Sequence, residues 1–281
     1  MAPTQKHRWL TRAANREDLR IANLRQFALD TAGDAFEREH PGPFAPVVAL
    51  MAAYEEEANI GDVLAAMPDR VGGMTVTPLV VVDGGTDGTA DVARAAGVAT
   101  CVLPVNLGQG AALRLGYRLA SDHGARYVVT LDADGQNDPA EMDRLVAPLV
   151  DGTADMVIAS RQLGEDHTTD RFRRAGVALY ARTLNLLTGQ HLTDTSNGYR
   201  AFRVEVVQDI VPLLRQDQYQ TAEVVITVAS RGWRIGEVPI TWHPRASGAS
   251  KKGGNLFFGL QYARVIATTW GRVALAGGRR R

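Results

Sequence analysis

Tyr127-Val128-Val129-Thr130-Leu131-Asp132-Ala133-Asp134-Gly135-Gln136 sends an apolar, β-branched run straight into two carboxylates one residue apart. The run predicts a buried strand that delivers an acidic pair to its carboxyl-terminal mouth. An oxygen-rich mouth of this kind suits Mg²⁺ or Mn²⁺, which take few protein carboxylates and complete their shell with water and phosphate oxygens. Asp132, Asp134 and the Gln136 amide oxygen are the candidate ligands. Asp-x-Asp-Gly also suits an ordinary turn after a strand, and the stretch alone leaves both readings open.

The surrounding chain is that of a globular protein. Its 281 residues are 45% hydrophobic and 22% charged, enough for a sizeable core and well away from disordered compositions. Lys plus Arg and Asp plus Glu each total 31. That balance argues against a nucleic-acid-wrapping protein. The single cysteine, Cys101, lies in an apolar run and is expected to be a buried, inert thiol. The first twenty residues are charged throughout, without the apolar segment of a secretion signal. The apolar tail Leu256 to Ala276 is interrupted by Arg264 and Arg272, short of a membrane span. The expected location is cytoplasmic.

Outward from the acidic stretch, apolar runs alternate with helical patterns. Strands are expected at Val47–Met51, Leu79–Val82, Val98–Leu103, Tyr127–Leu131 and Met156–Ala159. Helices are expected at Ile60–Met67, Asp87–Ala96, Gln109–Asp122 and Pro139–Val150. This alternation implies an α/β fold with an open, mostly parallel sheet flanked by helices. Ligands of such sheets gather at the carboxyl ends of strands, where Asp83, Asn106 and Asp132 fall. Further on, Arg171–Leu187 and Thr221–Ser230 read as helices, Ser196–Phe202 as a turn and short strand, and Ile235–Trp242 as a strand. Residues 1–45 form an N-terminal helical extension of one or two helices, with Asn15 a candidate N-cap, closed by Pro41-Gly42-Pro43 and Pro46. A solvated arm and a helix packed on the core are equally open readings of it.

Three further loops carry chemistry-bearing residues. Tyr54-Glu55-Glu56-Glu57 places acids at a helix start, where the dipole favours them in any case. Val82-Asp83-Gly84-Gly85-Thr86-Asp87-Gly88 would let a ligand approach the backbone closely and offers Asp83 to a base or ribose; a turn with Asp87 as a helix cap explains much of it too. Asn106-Leu107-Gly108-Gln109-Gly110 opens a helix with Gly-x-Gly, a weak dinucleotide signal because the full Gly-x-Gly-x-x-Gly spacing is not met.

Taken in order, Ala53-Tyr54-x-Glu56-Glu57-Ala58-Asn59-Ile60-Gly61, Val81-Val82-Asp83-Gly84, Asn106-x-Gly108-x-Gly110-Ala111-Ala112-Leu113-Arg114 and Leu131-Asp132-Ala133-Asp134-Gly135-Gln136 resemble the motifs of family 2 glycosyltransferases over about residues 47 to 260. The resemblance implies a GT-A type nucleotide-sugar fold, an Mg²⁺ or Mn²⁺ ion at Asp132, Asp134 and Gln136, and inversion at the anomeric carbon. It implies a nucleotide diphosphate sugar, a GDP- or UDP-hexose, bound by Tyr54, Glu56, Asp83, Asn106, Gly108, Gly110, Asp132 and Ala133. Ala159-Ser160-Arg161, Thr193 to Phe202, Gly232 to Ile240 and Arg245 to Lys251 are similar to the polyprenyl-phosphate hexosyltransferase branch, whose familiar member is dolichyl-phosphate mannosyltransferase. The implied acceptor is a polyprenyl phosphate, met by Arg161, Arg174, Ser196, Arg200, Arg245 and Lys251, with Asp132, Asp134, Arg161, Asp194 and Arg245 as the catalytic set. On this reading residues 46–250 form the catalytic domain and 251–281 an amphipathic helix with a basic tail.

The chemistry is consistent with that branch. A phosphate acceptor is already ionised near neutral pH, so the site needs cations rather than a strong base. A sugar-hydroxyl acceptor would instead require Asp194, Glu223 or His191 as base. Three positions depart from the usual family pattern: Val82 replaces an aspartate, Glu55 an asparagine and Gln109 a lysine. They touch the expected base and ribose pocket and leave the nucleotide open. The last helix sets Gln261, Arg264, Thr268 and Arg272 on one stripe with apolar residues elsewhere, which suits peripheral contact with the inner face of an anionic membrane; packing on the domain or on a second subunit of a homo-oligomer is the simpler reading of the same pattern. Two other functions stay open: transfer to a soluble hydroxyl acceptor, and non-catalytic nucleotide-sugar binding.

Overall fold

The computed structural model describes the backbone of residues 5–167, 171–245 and 255–277. In chain order the elements are α1 (Gln5–Glu39), β1 (Val47–Ala53), α2 (Glu57–Ala65), β2 (Arg70–Val71), β3 (Met74–Val82), α3 (Thr89–Ala95), β4 (Ala99–Val102), α4 (Gln109–Asp122) and β5 (Tyr127–Thr130). The second half continues with α5 (Met142–Val150), β6 (Met156–Asp166), α6 (Arg171–Thr188), β7 (Arg200–Arg203), α7 (Val204–Ile210), α8 (Gln220–Ser230), β8 (Ile235–Trp242) and α9 (Asn255–Gly277). A short 3-10 turn at Pro139–Glu141 leads into α5, with proline in its first turn and Asp138 accepting from the Ala140 N–H.

The strands form one sheet in the order β2-β3-β1-β5-β7-β6-β8, with β4 pairing the second half of β3. β1 is parallel to β3 and β5, β3 to β4, and β6 to β8. β7 corrects the picture drawn from alternation alone, because it runs antiparallel to both β5 and β6. The reversal matters for position. Thr130 pairs with Arg200, so residues 194–199, which precede β7, arrive at the mouth where β5 ends.

Alternation along the central strands fills both faces. Val48, Leu50, Leu79, Val81 and Val128 point to one side with Leu115, Leu119 and Val225 of α4 and α8; Val47, Ala49, Met51, Val80 and Val129 point to the other with Ile60, Leu145 and Leu149 of α2 and α5. A third cluster joins Leu184 of α6, Ala222 and Ile226 of α8, and Tyr262, Val265 and Ile266 of α9. α9 therefore packs on the domain.

Several boundaries move for identifiable reasons. β3 begins five residues earlier than expected, in the polar stretch that pairs with β2 across Gly72 and Gly73, both at positive φ. β6 runs on past Ala159 to Asp166, with Ser160 and Arg161 still buried and residues 162–165 exposed, held by β8 across a register shift. α7 has too few residues for a clear helical period and was not expected. α1 is a single helix, and Asn15 lies inside it rather than at its start. Its second half joins the core through Ala28, Ala32 and Phe36, whereas Leu24 and Phe27 are exposed. Phe36 meets Phe44 edge-on at 6.2 Å and His123 at 5.8 Å, and Phe44 stacks on His123 at 4.3 Å, which pins the proline linker to the end of α4. Cys101 is buried, and burial pushes its thiol up to about 12. The Phe36→Ala protein should lose about 3–5 kcal/mol in urea unfolding, because a fully packed aromatic is replaced by a cavity.

Candidate active site

The carboxyl ends of β1, β3 and β5 open on a cleft lined by Tyr54, Glu56, Asp83, Asn106, Gln109, Asp132, Ala133, Asp134, Gln218 and Arg245 among others. Six of the residues expected to hold the donor face it: Tyr54, Glu56, Asp83, Asn106, Asp132 and Ala133. Gly108 and Gly110 lie just beneath, where the 216–217 backbone crosses the start of α4. A Cβ on Gly110 would stand 2.2 Å from the Gln216 carbonyl oxygen, and one on Gly108 2.5 Å from that of Asp217. The Gly-x-Gly is thus a demand for close approach.

Each carboxylate in the cleft is positioned separately. Asp83 accepts from the Leu107 N–H at 2.7 Å and the Gly108 N–H at 2.8 Å. Burial pushes it up to about 6, against the pull of those two N–H groups and the Arg25 charge. Asp132 accepts from Gln109 Nε2 at 3.0 Å. Glu56 accepts from Asn59 Nδ2 at 2.8 Å, and its N–H donates to Thr89 Oγ1. Asp134 accepts from the Gln136 N–H at 3.1 Å; burial, then the neighbouring Asp132 charge, raises it to about 6 although Arg245 pulls it down.

Arg245 is the one basic side chain among the described residues lining the cleft. Its Nη2 donates to Asp134 Oδ2 at 2.7 Å and its Nη1 to Glu56 Oε1 at 3.2 Å. It reaches them because the Gln136 segment is laced to the end of β8: the His243 N–H donates to the Gln136 carbonyl at 3.0 Å, and Gln136 Nε2 to the His243 carbonyl at 3.3 Å. Arg245 follows two residues later.

The other expected cations are placed differently. Arg161 is buried and bound through Nε and Nη2 to Asp194 at 2.6 and 2.8 Å, donates to Ser196 Oγ at 2.7 Å, and lies over the Trp242 ring. Burial disfavours the Asp194 charge, but the Arg161 bonds and charge outweigh it and hold the carboxyl below its ordinary range. Arg200 is fully buried and donates to the carbonyls of Asn197, Thr221 and Thr195. These two arginines shape the 194–200 loop, whose Gly198 and Ser196 border a recess shared with Asp132. Glu223 is likewise spent, accepting from the Arg215 and Gln216 N–H groups and from Arg272. His191 is exposed. Arg174 lies in α6 with its side chain outside the described residues, as does Lys251 entirely. Gln109, one of the three departures expected to touch the nucleotide pocket, does line the cleft; Gln218 also lines it and had not been foreseen, because a lone glutamine carries no sequence signal.

This donor set fits a hard cation. Among the described residues no three His, Cys, Asp or Glu side chains converge as a ready cage. Two carboxylates one residue apart, both facing the cleft, match an ion that shares its shell with phosphate and water, and the burial and neighbouring Asp132 charge that raise Asp134 are what a bound cation would offset.

The model of the glycosyl transferase family 2 matches residues 48–211. The dolichyl-phosphate hexose transferase of Haloferax volcanii is 34% identical over 203 residues, 72% of this chain and 85% of that protein. The undecaprenyl-phosphate mannosyltransferase of Micrococcus luteus is 31% identical over 240 residues, 81% and 95% of the two chains. Among solved structures, glucosyl-3-phosphoglycerate synthase from Mycobacterium tuberculosis in complex with Mn²⁺, UDP and glucosyl-3-phosphoglycerate superposes with a TM-score of 0.65 at 19% identity, covering 85% of this chain and 83% of that one. The fold is the same GT-A type α/β sheet. The chain belongs to glycosyl transferase family 2 and is a glycosyltransferase.

Two measurements probe this geometry. Asp83 and Asp134 titrate near 6 in the native protein and 3.8 as free groups, so the native state binds more protons between those values and ligand-free stability falls as pH rises through them. The Asp134→Asn protein should be more stable than wild type at pH 7.5 by roughly 1–3 kcal/mol without ligand, with a shallower fall, and should lose any Mn²⁺-induced rise in melting temperature. Glu55 has φ 52°, a left-handed conformation that asparagine adopts more readily. Glu55→Asn should gain on the order of 1 kcal/mol in urea unfolding.

Proposed function

We propose that this family 2 glycosyltransferase moves a hexose from a nucleoside diphosphate sugar to a polyprenyl phosphate with inversion at the anomeric carbon, the reaction being carried by residues 46–250. The observation that carries the reading is the state of the acids outside the cleft. Of the three groups a hydroxyl acceptor could use as base, Asp194 and Glu223 are fully buried and held by Arg161 and by Arg272 with two backbone N–H groups, and His191 is exposed and outside the cleft lining. An acceptor that arrives ionised needs neither. The two curated relatives above carry polyprenyl phosphates in their names, which supports the lipid acceptor.

In this reading Asp83, Asn106 and Tyr54 receive the nucleoside, and Asp132, Asp134 and Gln136 would hold Mg²⁺ or Mn²⁺. That ion would neutralise the diphosphate as it departs. Arg245, already in the cleft, would pass from Asp134 and Glu56 to the phosphates, where its planar fork suits bidentate contact. Arg161, Ser196 and Arg200 would shape the acceptor side through the 194–200 loop rather than through free charge. UDP is supported by the ligand of the structural neighbour and GDP by no feature of the cleft.

No helix among the described residues is long and apolar enough to cross a membrane. A lipid acceptor would be met from the surface. α6 and α9 contain no Asp or Glu, carry Arg171, Arg173, Arg174, Arg182 and Arg264 besides the Arg272 paired with Glu223, and expose Leu179, Leu186, Leu260, Trp270 and Leu275. Basic, acid-free helices with outward apolar side chains suit an anionic bilayer.

The second reading, a soluble acceptor, is favoured by the product bound in the structural neighbour. Incubation with labelled UDP- and GDP-hexoses, Mn²⁺ and both undecaprenyl phosphate and phosphoglyceric acid, the soluble compound bound in the structural neighbour, followed by organic–aqueous partition, separates them. Label should move to the organic phase, and Asp134→Ala should lower the rate by about 10²-fold or more. Label confined to the aqueous phase as a glycoside would establish the soluble acceptor, and no turnover would leave a nucleotide-sugar binder.

A further inference from the structure

α1 stands apart from the cleft, yet Arg25 connects the two. Its Nη2 donates to the Leu107 carbonyl at 2.6 Å and lies 2.6 Å from Asp217 Oδ2. The Leu107 carbonyl belongs to the same peptide unit as the Gly108 N–H, and that N–H holds Asp83 Oδ2 at 2.8 Å. A guanidinium on the oxygen of a peptide polarises its N–H, so the bond to Asp83 is strengthened and its direction set from the far side.

The second partner leads to the opposite wall. Asp217 also pairs with Arg114 at 2.6 Å, and its carbonyl accepts from the Gly110 N–H at 2.8 Å. The next residue, Gln218, lines the cleft. One nitrogen of α1 therefore joins the 106–109 loop and the 216–218 segment, the two backbones between which Gly108 and Gly110 are squeezed. The charge of Arg25 also favours ionised Asp83 against burial, while Asp217 opposes it.

We propose that Arg25 is a positioning residue for the donor site, setting the affinity for a nucleoside diphosphate from a helix that lies outside the matched family region, 48–211. The inference rests on the reading of this cleft as the donor site. It gives α1 a role in substrate binding beyond its packing through Phe36.

Calorimetric titration of UDP and of GDP, each with Mn²⁺, into wild type, Arg25→Met and Arg25→Lys tests it. Arg25→Met should bind the preferred nucleotide roughly three- to tenfold more weakly, with a ligand-free melting temperature within about 2 °C of wild type. Arg25→Lys should recover most of the loss, since both contacts come from a single nitrogen that an ammonium can replace. Asp217→Asn approaches the tie from its other end and should weaken binding similarly. A purely structural tie would lower the melting temperature and leave affinity alone. Wild-type affinity in both Arg25→Met and Asp217→Asn, or an equal loss in Arg25→Lys, overturns the inference. Failure of wild type to bind either nucleotide overturns the donor-site reading with it.

Discussion

Four carboxylates, Glu56, Asp83, Asp132 and Asp134, are gathered at one mouth of the sheet, and most of the surrounding structure serves to hold them there. Like charges in a partly dry site repel, and burial penalises the charges of Asp83 and Asp134 further. The fold answers with directed donors: two loop N–H groups on Asp83, an amide on Asp132, and the single guanidinium of Arg245 shared between Asp134 and Glu56. The balance is incomplete, which is why Asp83 and Asp134 stay raised. A site left short of positive charge is matched to a substrate that arrives with a cation.

The arginines divide into two kinds of work. Arg161 and Arg200 are inside the protein, one neutralised by Asp194 and the other solvated by three carbonyls, and together they give the 194–200 loop a single shape. A buried ion pair adds little net stability, yet losing one partner strands the other charge, so such pairs suit the defining of a loop. Arg245 is of the other kind, anchored by a backbone ladder to Gln136 but with its charge in the cleft. Glu223 plays the internal part for the acids, tying residues 215–216 to α9.

Much of this was legible in the residue pattern. The limits of α4 and β8 coincide with the expected ones, and the strands ending at Asp83 and Asp132 were visible because buried parallel strands are short, apolar and β-branched. The N-cap of α3 is Gly88 rather than Asp87, which lies one residue earlier and accepts from the Thr89 N–H and hydroxyl in a turn. The polar continuation of β6 was hidden because its exposed residues carry no apolar period, and the reversed β7 because strand direction leaves no mark in a four-residue run.

The chain's local chemistry was thus enough to specify an α/β sheet, its acidic mouth and a family 2 glycosyltransferase pattern. Apolar periodicity, turn glycines and strand-end acids act over a few residues, and four motifs in order leave little freedom. The partners of the arginines were settled at longer range. Arg245 meets Asp134 across 111 residues, Arg161 meets Asp194 across 33, and Arg25 meets Leu107 across 82. All three are the same residue type, and the motifs around Arg161 and Arg245 do not say which partner either one meets. Which becomes a cleft cation, which a buried strut and which a tether follows from β7 running backwards, β8 lacing to Gln136 and α1 lying over the start of α4, because a charge takes its role from the dielectric and the partners that packing places around it.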